Sequence, residues 1–322
     1  MMRGQTSWVD RCLWRLGLLD PASPQRVNLP VLLPILVLHL LALLACVPWF
    51  FSWSGLAWAV GGLYLFGTLG INIGYHRLLT HRGFACPRWL EHGLSLLGAC
   101  CWQGSPMSWV AVHRMHHQHS DLPGDPHSPQ ASFFWSHLGW ILIYDPKIYN
   151  LGTYDSYARD LFRDRFYKLL ERPQAMRKIQ RIQWAAFLGG GALVGALTTW
   201  SLWGAIQLAL SWLVWGVFLR TVAVWHITWS VNSVTHLWGY RNFDTRDDSR
   251  NNWLVGLVSN GEGWHNNHHA EPRCAAHGQR WWELDVSYLT IRAWEMVGLA
   301  SDVVRPRRRR TLEQPEEQRA AA

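Results

Sequence analysis

Nine of the sixteen histidines in this 322-residue chain fall into three tight groups and one outlier. They are His76 and His81; His113, His116 and His117; His265, His268 and His269; and His236 by itself. His113-Arg-Met-His116-His117 and His265-Asn-Asn-His268-His269 set imidazoles at i, i+3 and i+4, one face of a helix, where they can converge on a single point. Each triplet is a ready chelate for a transition metal, for which imidazole is a common ligand. His76 and His81 stand at i and i+5, about 140° apart on an ideal α-helix, so they converge only if the helix ends or unwinds between them; a terminus is expected there. His236 is a weak ligand alone. Asn232, four residues earlier, shares its helical face, and the two together offer one imidazole and one amide to hold a water.

Packing gives no reason for two such triplets, since histidine is a modest helix former. A single imidazole in an apolar run, as at His39 or His226, normally finds a hydrogen-bond partner in the core. His119, His127 and His137 fall outside the groups. Nine imidazoles are too many for one ion, because zinc sites close at four ligands and transition metals rarely exceed six, so two metals are implied.

The elements that must position these groups are membrane helices. Tryptophan is abundant, 23 against 11 Phe and 9 Tyr, a bias typical of membrane–water interfaces. Val31 to Phe51 is apolar apart from prolines and His39, and Ser54 to Tyr75 has no charge; each is long enough to span. A turn at Ser52 to Ser54 joins them as a hairpin. Trp184 to Trp229 forms a second hairpin, broken near Trp200-Ser-Leu-Trp-Gly204, with Arg220 either snorkelling or facing the protein interior. Lys and Arg number four before Val31, thirteen from His76 to Arg181 and twelve after Trp229, and the hairpin turns carry none. The positive-inside rule then puts both termini, the central segment and all the histidine groups in the cytoplasm, at the inner membrane if the source is bacterial.

The expected fold is an all-α integral membrane protein, four transmembrane helices in two hairpins under a helical cytoplasmic cap. Its segments are residues 1–30, a cytoplasmic N-terminal stretch; 31–75, the first hairpin; 76–183, cytoplasmic; 184–229, the second hairpin; 230–304, cytoplasmic; and 305–322, a disordered basic and polar tail. No signal peptide is expected, and Trp8, Val9, Leu13 and Leu16 suggest an interfacial amphipathic helix. The six cysteines show no C-x-x-C pair and no disulfide is expected. The basic run Arg305-Pro-Arg-Arg-Arg-Arg310 suits solvation or anionic lipid; no nucleic-acid partner is expected.

The order His76-Arg-Leu-Leu-Thr-His81, His113-Arg-Met-His116-His117, Asn232-Ser-Val-Thr-His236-Leu-Trp-Gly239, Gly261-Glu-Gly-Trp-His265-Asn-Asn-His268-His269 resembles the membrane-bound Δ9 acyl desaturases of the stearoyl-CoA desaturase type. The likeness runs from about Gly62 to Pro306, includes Asp125-Pro-His127 and Trp135-Ser-His-Leu-Gly-Trp140, and is closest to the bacterial and plant branch. It implies a di-iron centre held by the nine histidines, with Asn232 holding a water on one iron, and O2 as co-substrate. Carboxylates that accept the imidazoles' second N–H should orient them; Glu262, Asp121, Asp125 and Asp244 are the candidates, Glu262 foremost.

The resemblance also implies a saturated acyl chain of 16 to 18 carbons, desaturated at Δ9 to a cis double bond, lying in a kinked tunnel shaped by Gln103, Trp109, Thr228 and Trp229. The same resemblance puts the methyl end near Thr68 with Tyr64 as the floor, about 12 and 18 Å below His76 along a helix axis. Ala111 and Val112 stand where animal acyl-CoA enzymes include charged groups, so the carrier is CoA or a lipid. Electrons must come from a separate protein, and a net charge of +8 suits an acidic ferredoxin or cytochrome b5. The competing readings are a histidine-box hydroxylase and, from another class, a metal transporter or sensor.

Overall fold

The computed structural model describes residues 26–146 and 148–307. The proposed N-terminal amphipathic helix and the tail beyond residue 307 lie outside the described residues. Among the described residues, four helices are long and apolar enough to cross a membrane: α1 (Leu29–Cys46), α2 (Trp53–Thr80), and, after α3 (Arg88–Ala99) and α4 (Pro106–His119), α5 (Pro173–Thr199) and α6 (Leu202–Leu237). The short α7 (His265–Ala270) and α8 (Val286–Met296) follow. Among the described residues the only sheet is a two-stranded antiparallel pair, Arg26–Val27 against Ile143–Tyr144.

The apolar stretches are helical because every backbone polar group is satisfied within the segment, the condition lipid imposes. They are apolar outward as well: only 17% of the α1 window is buried in protein, and Leu36, Leu40 and Leu43 are exposed. The breaks carry caps. Ser52 Oγ accepts from Gly55 N at 2.9 Å to start α2, and Ser201 Oγ accepts from Gly204 N at 3.0 Å to start α6. Between α5 and α6, Trp200 takes φ 52°, the left-handed turn that ends a helix.

The helices outrun the apolar stretches that mark them in sequence: α2 continues to Thr80, α5 begins at Pro173 and α6 reaches Leu237. Hydropathy sees only the lipid-facing length, whereas good polar helix formers such as Gln174, Arg177, Lys178 and Gln180 carry the backbone pattern on. Residues 305–307, expected as the start of a free tail, are tied down, with Arg307 N donating to Glu271 Oε2 at 3.1 Å.

Close helix contacts use small residues. A Cβ on Gly191 would stand 2.7 Å from Ala209 Cα, and one on Gly195 would stand 2.5 Å from Gly204 O, so α5 and α6 touch backbone to backbone. Gly70 of α2 meets Gly98 of α3 in the same way. Arg220 faces the interior: it donates to Gly216 O and Cys100 O and lies 4.2 Å from the Phe66 ring centroid. This packing brings the end of α2, the face of α4, the end of α6 and all of α7 to one place.

Candidate metal centre

His76 and His81 meet because the last part of α2 is not α-helical. Leu63–Thr80 is wound with i→i+5 hydrogen bonds, and His81 N donates to His76 O at 3.1 Å. In that π-type winding residues five apart stand over one another, so the two rings come to 4.7 Å. The helix also ends at Thr80, with His81 as its cap.

The α4 triplet sits on a helix begun by Pro106 and by Ser105, whose Oγ accepts from Ser108 N at 3.1 Å. The third triplet lies on six residues, too few for a helix to hold by itself. The two asparagines between its histidines hold it. Asn251 Oδ1 accepts from Asn266 N and Asn267 N, satisfying free amides at the helix start. Asn266 Oδ1 accepts from Asn242 N and Phe243 N, while Asn267 Nδ2 donates to His277 O and Glu283 Oε2. One side of α7 is therefore bolted to the protein, and the other presents His265, His268 and His269.

The nine imidazoles sort into two groups whose nitrogens lie within 4.8 Å of one another: His76, His81, His113, His117 and His268; and His116, His236, His265 and His269. Four rings have the outward nitrogen fixed. His76 Nδ1 donates to Glu262 at 2.6 Å, His116 Nδ1 to Asp125 at 2.9 Å, His236 Nδ1 to Asp121 at 3.0 Å and His269 Nδ1 to Asp247 at 2.8 Å. Each Nδ1–H points at a carboxylate, so each Nε2 carries a lone pair aimed inward.

Three of those four lone pairs have nothing to bond to. Nε2 of His81, His116, His236 and His269 is buried without a hydrogen-bond partner. Nε2 of His76 and His268 stand 3.2 Å apart, and Nε2 of His268 and His117 2.9 Å apart. Such separations match the edge of a coordination shell with metal–nitrogen bonds of about 2.1 Å, where adjacent ligands lie about 3 Å apart. The residues present thus fit a metal in each group. Burial and the neighbouring imidazoles push His113, His117, His265, His268 and His269 well below the ordinary histidine range, which keeps them neutral and able to ligate.

Glu262 is the most constrained of the carboxylates. Burial raises its pKa, but the Arg77 guanidinium, His277 and His76 outweigh burial and hold it well below the usual range. Arg77 grips it through Nε at 3.0 Å and Nη2 at 2.8 Å and turns its third donor to Asp285 at 2.9 Å. Asp125 is likewise held down, by His116 and His127 acting against its burial.

The expectation for Asp244 is corrected. Asp244 is 91% exposed and faces Arg241 at 3.8 Å; Asp247 takes the place assigned to it. The loop from Arg241 to Asn251 folds back so that Thr245 and Ser249 bond Asp247, and sequence distance from a histidine says nothing about such a fold-back. Sequence reading also passed over His127, whose ring lies 4.2 Å from that of His116, and His277, 4.4 Å from His268 and 3.2 Å from Glu262. Asp125-Pro-His127 was the available signal for the first; nothing marked the second.

A cavity of about 880 Å³ reaches this centre and is lined there by His76, His113, Asn232 and Glu262. Gln103, Trp109, Thr228 and Trp229 line it as well. Trp109 Nε1 donates to Gln103 Oε1 at 3.2 Å, and Gln103 Nε2 donates to Thr228 Oγ1 at 3.0 Å, a polar bracket across the passage. Thr68 lines a smaller void at the far end. Tyr64 lines neither space: it is 39% exposed and hydrogen-bonded to Thr290 at 2.8 Å, because its position on α2 points it toward α8.

A family model described as fatty acid desaturase matches residues 56–288. The chain is 45% identical over 288 residues to the sn-2 palmitoyl-lipid 9-desaturase of Nostoc sp. (strain 36), covering 88% of this chain and 94% of that one. It is 40% identical to the sn-1 stearoyl-lipid 9-desaturase of Anabaena variabilis, over 88% and 96%. It is also 38% identical to an icosanoyl-CoA 5-desaturase of Limnanthes douglasii, over 84% and 71%. With a family model over most of its length and relatives matched nearly end to end, this four-helix membrane chain belongs to the fatty acid desaturase family.

Proposed function

We propose that this oxidoreductase desaturates a lipid-linked saturated chain of 16 to 18 carbons at Δ9, giving the cis product. The observation that carries this reading is one largely apolar cavity that passes the bracket of Gln103, Trp109 and Thr228 and borders His76 and His113 of the first histidine group. The two 9-desaturase relatives act on acyl lipids, which favours a lipid carrier over CoA, as do the uncharged Ala111 and Val112.

In this reading two irons are held, one by His76, His81, His113, His117 and His268, the other by His116, His236, His265 and His269 with a water on Asn232. Bound there, the metals supply the reduction of O2 that removes hydrogen from an unactivated methylene. The protein's own residues do the rest. Glu262, Asp125, Asp121 and Asp247 hold Nδ1–H protons and so aim each ring. The Gln103–Thr228 bracket bends the chain to present one pair of carbons, and Trp109 and Trp229 exclude water beside them. The four helices form two hairpins, the histidine-bearing segments form a cytoplasmic cap, and an acidic ferredoxin or cytochrome b5 docks on that basic face.

The test is lipid analysis of a host that lacks its own Δ9 desaturase and expresses this chain. A Δ9 cis monoene esterified in membrane lipid is expected. A hydroxylated product, or monoenes confined to the CoA pool, would overturn the reading.

A further inference from the structure

Two helices on either side of Glu262 reverse the usual sorting of residues. The short helix Trp253–Val258 buries Val255 and Gly256 and exposes Trp253, Leu254, Leu257 and Val258. Those four positions, i, i+1, i+4 and i+5, cover one side of a helix that has no charged residue. On α8 the exposed Leu289, Ala293 and Met296 stand at i, i+4 and i+7, again one face, while Ser287 and Ile291 are buried. The approach to α8 does the same by alternation: Trp281, Trp282 and Leu284 are exposed, and Glu283 and Asp285 are buried. The two acids are used inside, Glu283 accepting from Asn242 and Asn267, and Asp285 from Arg77. A stretch facing water puts its acids out and its tryptophans in; exposed apolar faces that join across elements mark an interaction surface.

Hydrogen bonds make the two helices one unit and fix its height. Ser287 N and Oγ donate to Asn260 O at 3.0 and 2.9 Å, which ties the start of α8 to the turn after the short helix. Trp264 Nε1 donates to Leu284 O at 2.8 Å. The unit is held to α2 at two levels: Asn260 Nδ2 donates to Thr68 Oγ1 at 2.7 Å, and the Tyr64 hydroxyl bonds Thr290 Oγ1 at 2.8 Å. Tyr64 and Thr68 are the twelfth and sixteenth residues of α2 counted from Trp53. A crossing takes about twenty residues, so both bonds are made within the crossing length and not above it. Val60 and Tyr64, one turn apart and both exposed, carry the lipid-facing side of α2 up to the bond with α8.

We propose that the helix Trp253–Val258 and α8 are immersed in the membrane interface as a monotopic face continuous with α2, so that this edge of the cap is bathed by lipid and not by cytoplasm. Apolar faces of this kind are stabilised where they meet acyl chains. Continuity with the lipid-facing side of α2 selects lipid over a partner protein. The charges suit the same boundary. Arg292 and Glu295 of α8 pair with each other, Arg305 joins Glu295 at 3.2 Å, and Arg280 lies 5.1 Å from the Trp282 ring, a cation beside the amphipathic ring that settles at headgroup level. Since the turn between the helices carries Glu262, the membrane holds the stretch that aims His76.

The full chain in phosphatidylcholine vesicles tests this by labelling from two sides. One reagent is a photoactivated carbene confined to the acyl layer; the other is hydroxyl radical generated in the water on both sides of the bilayer. Modified residues are read by peptide mass spectrometry. Trp253, Leu257, Leu289 and Met296 should take carbene to the level of Leu36 and Leu40 on α1 and should resist radical oxidation. The loop that carries Asp244 should show the reverse. In the double variant Leu257→Glu with Met296→Glu, carbene uptake by both helices should fall while α1 keeps its own.

Labelling of the parent chain decides the matter even if the double variant does not reach the membrane. Oxidation of Trp253 and Met296 as heavy as that of the Asp244 loop would put the face in water and overturn the proposal. Protection from both reagents would mean that protein covers it, a second copy of this chain or another subunit, and would overturn it equally.

Discussion

Two sets of histidines in this molecule have the same chemistry and opposite arrangements. Nine point inward in two groups, with Nδ1 of four of them on a carboxylate and Nε2 nitrogens left facing one another. Three others form a line on the outside of the helices: His39 Nε2 meets His226 Nε2 at 3.0 Å, His226 Nδ1 meets His137 Nε2 at 3.0 Å, and His137 Nδ1 meets Ser233 Oγ at 2.9 Å. His39 Nδ1 donates to Ile35 O. In the line both nitrogens of every ring are used; in the groups several inward nitrogens are unpaired. What sets the groups apart is that four of their rings give Nδ1–H to a carboxylate, which turns Nε2 into the dry interior where a metal could take it.

The largest effect should come from removing an inward ring. His117→Ala and His269→Ala should each lose iron and all measurable desaturation while remaining in the membrane, read by metal analysis beside lipid products. Full activity in both would end the comparison. His226→Ala, from the line, should keep its iron and most of its activity.

Next comes Glu262→Gln. It weakens a buried pair with Arg77 and removes the acceptor of His76 Nδ1–H, so it should destabilise the protein by about 3 kcal/mol and lower iron content. Thermal unfolding and metal analysis of the purified variant check both. Stability equal to the parent would mean Arg77 is satisfied by Asp285 alone.

A sharper contrast sets Asp247→Asn against Asp244→Asn. The first loses the acceptor that orients His269 and should weaken metal binding by about 10- to 100-fold. The second changes an exposed side chain and should do nothing measurable. Metal titration of both decides whether orientation of the ring, and not local charge, is what matters.

Among the changes at the site, the smallest loss of iron should come from Asn232→Ala. This side chain lines the cavity four residues before His236 on α6 and is proposed to hold a water, so turnover should fall while iron content falls less than in His236→Ala. Equal iron loss in the two variants would make Asn232 a ligand or a folding residue.

The two histidine triplets could be read from the chain because local geometry governs them: i, i+3 and i+4 share a helical face wherever the helix is placed. The four spans could be read because lipid demands about twenty apolar residues per crossing. Two features were only half legible. The pairing of His76 with His81 was visible as a departure from α-helical winding, but the i→i+5 bonding that brings the rings together is not specified by any local propensity. Asn266 and Asn267 were visible between the third group's histidines, but not as the bolts that hold a six-residue helix in place.

Sequence by itself determined the histidine triplets, their spacing, the membrane helices and the family, since each depends on neighbours within a turn or two or on the hydropathy of a continuous stretch. Tertiary structure alone decided which imidazoles share a group, that Asp247 and not Asp244 serves His269, that Tyr64 turns away from the cavity, and that Asn260 closes on Thr68. Those outcomes join residues up to 192 positions apart through loops whose course depends on buried hydrogen bonds. A bond between distant segments leaves no periodic trace in either of them.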